Sequence, residues 1–308
     1  MPHVPTSSVE VVGVGAATLD DFWLVDDFSE EERVSLSNGH LSDGGGPVAT
    51  ALCVLAHLGH RCALIDRRGD DITGTVVAQD LAKAGIHQNS LQIAFGATSA
   101  RAVILVRKRD GARQIIYAPS TANEPTWGTG EAQLLQNARL LHLNGRHETT
   151  AYAAVKCAQE LEVTISFDGG AGRYREALRG LVSASHIRIV ARDFGRQFSG
   201  TNDLASMIAS LCQPPAQLVV ITDGIRGSYV ALPDGSFIHQ PAYPASPLVD
   251  TTGCGDVYHG AFLHGWLSGW APSRCAEFAS RMATRNAKGL GGRFCLHTPA
   301  FNIAGKKT

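Results

Sequence analysis

The stretch DTTGCGDVYHGAF, Asp250 to Phe262, sets three small residues, Gly253, Cys254 and Gly255, in front of an acid, Asp256. From Val257 to Leu267 the chain is apolar nearly all round, the pattern of a buried helix. The first amides of a helix have no internal acceptor and carry the positive end of its dipole. Glycines let those amides approach a ligand closely, so the turn reads as an anion site, most naturally for a phosphate. A carboxylate beside a phosphate is repelled by it, which leaves two readings for Asp256. It is a base that takes a proton from an attacking hydroxyl, or it is the N-cap of the helix, a role Asp favours.

Three other glycine-rich turns lie upstream. In DGGGPVATALCVLAHLG, Asp43 to Gly59, the residues Val48, Ala51, Leu52, Leu55 and Leu58 follow the helical period, and Pro47 stands where the first helical residue belongs. Gly44, Gly45 and Gly46 therefore form a turn feeding a helix, either to present amides to hydroxyls and anions or to close helix on sheet. In TDGIRGSYV, the small residues Thr222, Gly224 and Gly227 follow the run LVVI. They leave room for a flat or phosphorylated ligand, or they make a plain hairpin turn into SYVAL. GDDITG, Gly69 to Gly74, reads as a turn and helix start. GVGAAT at Gly13 begins like a dinucleotide fingerprint, but Thr18 occupies the place of the third glycine, so the match is weak.

Between these turns, short β-branched runs alternate with helical segments. VEVVGVG from Val9, RCALID from Arg61, RLLHLN from Arg139, VTISFD from Val163, IRIVA from Ile187 and LVVIT from Leu218 read as strands. TTAYAAVKCAQEL and NDLASMIASLC read as helices. This alternation predicts an α/β fold with a mainly parallel sheet, helices on both faces, and ligands beyond the carboxyl ends of the strands. Two segments break the pattern. FWLVDDFSEEERVSLSNGHLSDGGG reads as extended pieces around an acidic turn, and SARAVILVRKRDGARQIIYAP as a hairpin turning at Asp110-Gly111. They form a flap over the sheet, or they extend it. The tail after Pro299 reads as poorly ordered.

Composition sets outer limits. The chain has 308 residues, 44% hydrophobic and 18% charged, with a formal net charge of -1. The charge balance and the absence of a long basic block argue against nucleic acid or an anionic membrane as partner. The seven cysteines are odd in number and include no C-x-x-C pair, which reads as free thiols in a reducing compartment. With no signal-peptide pattern at the start and no run of about 18 apolar residues, the expected location is the cytoplasm.

Taken in order, a G-G turn with a helix ending in L-G, then G-D-D-x-x-G, then T-x-G-x-x-G, then D-T-T-G-x-G-D resembles the ribokinase-like (PfkB) carbohydrate kinases from Val9 to Thr298. The resemblance implies a single domain over residues 1–308: a three-layer sandwich with a mainly parallel central sheet and a small β lid from about 20–43 and 98–121. It implies ATP, Mg2+ and K+ as cofactors and a sugar as substrate. By position, Asp256 matches the catalytic base, and Gly253, Cys254 and Gly255 the anion hole. Thr222, Gly224 and Gly227 match the nucleotide side, with Asn286 and Gly289 close to the adenine. Asp20, Gly45 and Gly46 match sugar-binding positions, and Asp250 and Thr252 a monovalent-cation site.

Three departures qualify the match. Thr50 stands where a sugar-binding Asn is usual. The N-x-x-E motif that organises magnesium reads ARDF, with Asp193 as the partial replacement. Cys254 replaces an alanine, either as a tolerated small residue or as an oxidisable brake. LHLNGRH, with a G-R after the strand, looks like ketohexokinase and the sulfofructose kinases. Arg146 then reads a ketose hydroxyl or an anionic group on the sugar, against the alternative of a surface salt bridge. The expected function is phosphorylation of a primary hydroxyl on a ketose or acidic sugar. The alternatives are a nucleoside kinase and a catalytically silent binding protein. Relatives of this kind dimerise through the lid, and the apolar faces of AVILV and QIIYA permit a homodimer as well as a monomer.

Overall fold

A computed structural model of the chain describes residues 9–29, 34–232 and 234–297. The acidic part of the first flap turn and the tail after Pro299 lie outside the described residues. Among the described residues thirteen strands form two sheets: β1 Val11–Val14, β2 Thr18–Val25, β3 Ser37–Gly45, β4 Cys62–Gly69, β5 Leu91–Ala94, β6 Arg101–Arg107, β7 Arg113–Ala118, β8 Leu140–Leu143, β9 Thr164–Gly169, β10 Ile187–Ala191, β11 Leu218–Thr222, β12 Ser228–Ala231 and β13 Phe237–Gln240.

The large sheet runs β13-β12-β11-β10-β9-β8-β1-β4-β5. The seven strands from β11 to β5 are parallel, and β12 and β13 add an antiparallel edge. Each expected strand lies here. Alternate residues of each strand face opposite layers, as the two-residue period requires. Leu218 and Val220 join one core with the helices Pro47–His57, Cys254–Leu267 and Pro272–Asn286. Val219 and Ile221 join the other with Glu148–Glu160, Arg192–Ser199 and Leu204–Leu211. The all-apolar helix Cys254–Leu267 is buried as its sequence indicates.

The two segments that break the alternation do not extend this sheet. They form a second, four-stranded one in the order β3-β2-β6-β7. β2 pairs antiparallel with β3 but parallel with β6, and β6 pairs antiparallel with β7. Asp110 and Gly111 lie in the β6–β7 turn, where Gly111 has φ +65°. β7 is an edge strand with every residue exposed, Ile115 and Ile116 among them. Among the described residues no helix is long and apolar enough to cross a membrane.

Candidate active site

The parallel strands end at one rim, and the chain leaves that rim in loops. Ala16 after β1, Asn144–Arg146 after β8, Gly170–Arg173 after β9, Ala191 at the end of β10 and Thr222–Gly227 after β11 line one cleft of about 1570 Å³. Thr18, Asp20, Ile104, Arg113, Ile115 and Tyr117 of the second sheet line it from above. Thr251 to Asp256 line it as well.

The helix at Asp256 begins three residues earlier than the N-cap reading requires. Gly253 is the N-cap, in the left-handed conformation at φ +71°, and Asp256 lies inside the first turn. A Cβ on Gly253 would collide with the carbonyl of Gly292, so glycine is required there for space as well as for conformation. Gly255 faces open space. The Asp256 carboxyl accepts no hydrogen bond in a cap, and burial pushes its pKa up to about 6. Arg173, His259 and Arg113 pull it down, and the charge of Asp168 pushes it up. Burial likewise raises Asp168, and it pushes the imidazoles of His142 and His259 down to about 4. A raised carboxyl near the operating pH suits a proton acceptor.

Cys254 turns away from the chemistry. Its Sγ donates to the Ala283 carbonyl at 3.4 Å, and burial pushes the thiol up to about 12. The thiolate that an oxidant attacks is therefore scarce at neutral pH, which supports the small-residue reading.

Asp20 lies in β2 with a buried carboxyl that accepts from Thr18 Oγ1 at 2.6 Å. Burial pushes its pKa up to about 6. Gly46 lines the cleft beside it, while Gly45 lies behind, its missing side chain making room for the Asp20 carboxylate. Arg146 stacks on Tyr117 of β7, with Cζ 5.1 Å from the ring centroid, and its Nη2 donates to the Tyr117 hydroxyl. Among the described residues it makes no salt bridge with a carboxylate, unlike the alternative reading. Arg113 of β7 donates to Thr251 Oγ1 at 2.6 Å. The two arginines link the second sheet to the main body across the cleft.

At the other end, Thr222, Gly224 and Gly227 line the cleft, and the turn is a hairpin between β11 and β12. Asp223 is held by Arg192 and Arg226 at 2.9 and 2.7 Å. Ile225, 94% exposed, faces the cleft with Leu248, Ala283 and Ala287. These make an apolar end of the cleft.

Several sequence-predicted residues sit behind the cleft wall. Thr50 is buried, and its Oγ1 accepts from Arg293 Nε at 3.1 Å. Asn286 is fully buried, donating to the carbonyls of Thr252 and Gly292 and accepting from the Cys295 amide at 3.1 Å. It braces the turn before Asp256 from below. Gly289 packs against the Phe294 ring. Asp250 accepts the amides of Thr252 and Gly291 at 2.8 and 3.0 Å, and Thr252 Oγ1 is buried with no partner. Asp193 lines the cleft, but its carboxylate is bonded to Arg196, Gln197 and the Gly172 amide.

Sequence reading missed Arg113, Arg173, Asp168 and His259. Two signals were available. Asp168 stands at the carboxyl end of a parallel strand, where ligands bind, and His259 lies one helical turn beyond Asp256.

A family model described as pfkB family carbohydrate kinase matches residues 9–299. The ATP-dependent ribose-1-phosphate kinase of Halopiger xanaduensis is 26% identical over 299 residues, covering 92% of this chain and 94% of the relative. The ketohexokinase of Mus musculus is 23% identical, covering 92% and 97%. The structure of Arabidopsis thaliana ribokinase complexed with ribose and ATP superposes with a TM-score of 0.79 at 20% identity, covering 94% and 95% of the two chains.

Proposed function

The chain belongs to the pfkB family of carbohydrate kinases, and from that premise we propose that it transfers the γ-phosphate of ATP to a primary hydroxyl of a ketose or acidic sugar. The observation that carries this reading is the make-up of one cleft. A raised carboxyl stands at a glycine-bounded helix start, and Arg146, Arg173 and Arg175 line the same cavity. Guanidinium groups offer a fork of donors to carboxylate, sulfonate or phosphate. The name of the ribose-1-phosphate kinase agrees with an anionic sugar, and that of the ketohexokinase with a ketose.

In this account the sugar lies between Asp20, Gly46 and Arg146 under the second sheet. ATP lies along Thr222, Gly224 and Gly227 with its base toward Ile225 and Ala287. Asp256 takes the proton of the attacking hydroxyl. The amides of Cys254, Gly255 and Asp256, with Arg173 and Arg113, stabilise charge on the transferring group. Positioning and electrostatics dominate such transfers.

Asp193 does not fit a magnesium ligand as placed, because its carboxylate is occupied by Arg196, Gln197 and Gly172. A monovalent cation fits better at Asp250 and Thr252, since the Thr252 hydroxyl is buried without a partner beside a buried carboxylate. Potassium there would add positive charge behind the anion-binding turn. The exposed β7 edge, with Ile115 and Ile116, is the surface for a homodimer.

The test is ADP release with MgATP and potassium against fructose, tagatose, ribose, 2-keto-3-deoxygluconate, sulfofructose and adenosine. A ketose or sugar acid as best acceptor supports the reading. Adenosine as best acceptor replaces it with a nucleoside kinase, and ATP binding without turnover on any acceptor replaces it with a silent binder. Arg146→Ala is expected to raise KM for the anionic acceptor at least tenfold, corresponding to the loss of a charge-assisted contact.

A further inference from the structure

We propose that His142, Asp168 and His259 form a binding site for one transition-metal dication of the zinc class at the base of the cleft. The residues come from three elements: His142 from β8, Asp168 from β9 and His259 from the helix Cys254–Leu267. One ligand atom from each lies within 4.8 Å of the other two. All three side chains are buried, at 0%, 3% and 4% exposure.

Their hydrogen bonding is incomplete. His142 Nδ1 bonds Ser166 Oγ at 3.3 Å, which leaves Nε2 buried with no partner. Asp168 Oδ2 and His259 Nδ1 are also buried without partners, and His259 Nε2 stands 3.6 Å from Asp168 Oδ1, too far for a hydrogen bond. Three of the eight unpartnered buried side-chain atoms among the described residues therefore belong to this one cluster. Buried polar groups are otherwise almost always satisfied, so the cluster calls for an occupant.

The ligand chemistry selects the ion. Magnesium and calcium take oxygen ligands, whereas two imidazole nitrogens with one carboxylate suit zinc and its neighbours. The Ser166 contact on the far nitrogen of His142 is the kind of support that orients a metal-bound imidazole. Two ligands at about 2.1 Å from one tetrahedral ion stand about 3.4 Å apart. The His259 Nε2–Asp168 Oδ1 pair at 3.6 Å is already near that spacing, and a pair at the 4.8 Å outer limit of the cluster closes by roughly 1.4 Å on binding. Asp168 and His259 line the cleft while His142 lies behind them. An ion thus enters from the cleft, and its open coordination position faces the same cavity as Asp256. The proposal does not depend on which sugar is phosphorylated.

The test uses the full-length protein after chelator treatment, dialysed against zinc, with metal content by elemental analysis and cobalt(II) binding by visible absorption. One equivalent per chain and the intense spectrum of a four- or five-coordinate cobalt site are expected. Asp168→Asn and His259→Asn, each checked for folding by circular dichroism and for nucleotide binding, are expected to weaken uptake at least 100-fold. A cobalt spectrum of the free hydrated ion with no stoichiometric uptake by the wild-type protein would overturn the proposal and leave water as the occupant. Uptake that persists unchanged in both variants would overturn it too, assigning the metal to surface histidines.

Discussion

At the residue scale, burial decides how single groups titrate. Asp256 serves as a base only when ionised, and burial holds its pKa near 6 rather than at the ordinary carboxylate value. A raised pKa means the charged form is lost as pH falls through that value. The kcat of chelator-treated enzyme is therefore expected to drop tenfold per pH unit below about 6, with a plateau above it. A pH–rate profile measured between the two regimes checks this, and a plateau extending well below pH 5 would count against it. Cys254 shows the opposite consequence of burial, since its thiol at about 12 stays protonated. Cys254→Ala is expected to keep activity within about twofold, and dilute peroxide to leave the wild-type rate unchanged.

At the element scale the strands were legible because their composition and two-residue alternation match a sheet covered on both faces. Helix starts were less so. Local preference favours Asp256 as an N-cap. The start three residues earlier is decided by Gly253 in the left-handed conformation against Gly292, a contact between segments 39 residues apart in sequence that no local pattern reveals. Gly253→Ala forces an L-residue into that conformation, at a cost of about 1–2 kcal/mol before the collision with Gly292 is counted. It is expected to lower both Tm and kcat, the latter more steeply because the anion-binding amides belong to the same turn. Thermal unfolding and steady-state kinetics on one preparation separate the two effects. The second sheet was legible as a hairpin and extended pieces, but not its parallel β2–β6 pairing, which joins segments separated by two helices and three strands.

At the scale of the whole molecule, one buried cation ties the site together. Arg293 donates to Thr50 Oγ1, to the Gly45 carbonyl at 3.0 Å and to Asp80. It joins the helix Pro47–His57, the end of β3, the helix Ile72–Lys83 and the segment after Asn286. Removing one partner of a buried ion pair typically costs about 3–5 kcal/mol. Arg293→Met is expected to lower stability by that order, measured by urea unfolding, whereas a loss below about 1 kcal/mol would show that the network carries little. This network also explains which site residues the sequence misplaced. Thr50 and Asn286 lie beside the chemistry along the chain, but their side chains turn inward to Arg293 and to the Thr252 turn. Arg113, His259 and the Asp168–Arg173 stretch come from three separate segments, and only the tertiary fold brings them to one cleft.

The most direct test is Asp256→Asn, compared with wild type in turnover on the best acceptor and in ATP affinity. The substitution keeps shape and removes the base. The account predicts a loss of about 10²–10⁴-fold in kcat with ATP affinity unchanged within about threefold. Turnover within tenfold of wild type would contradict it and leave Asp256 as a structural residue of the helix start.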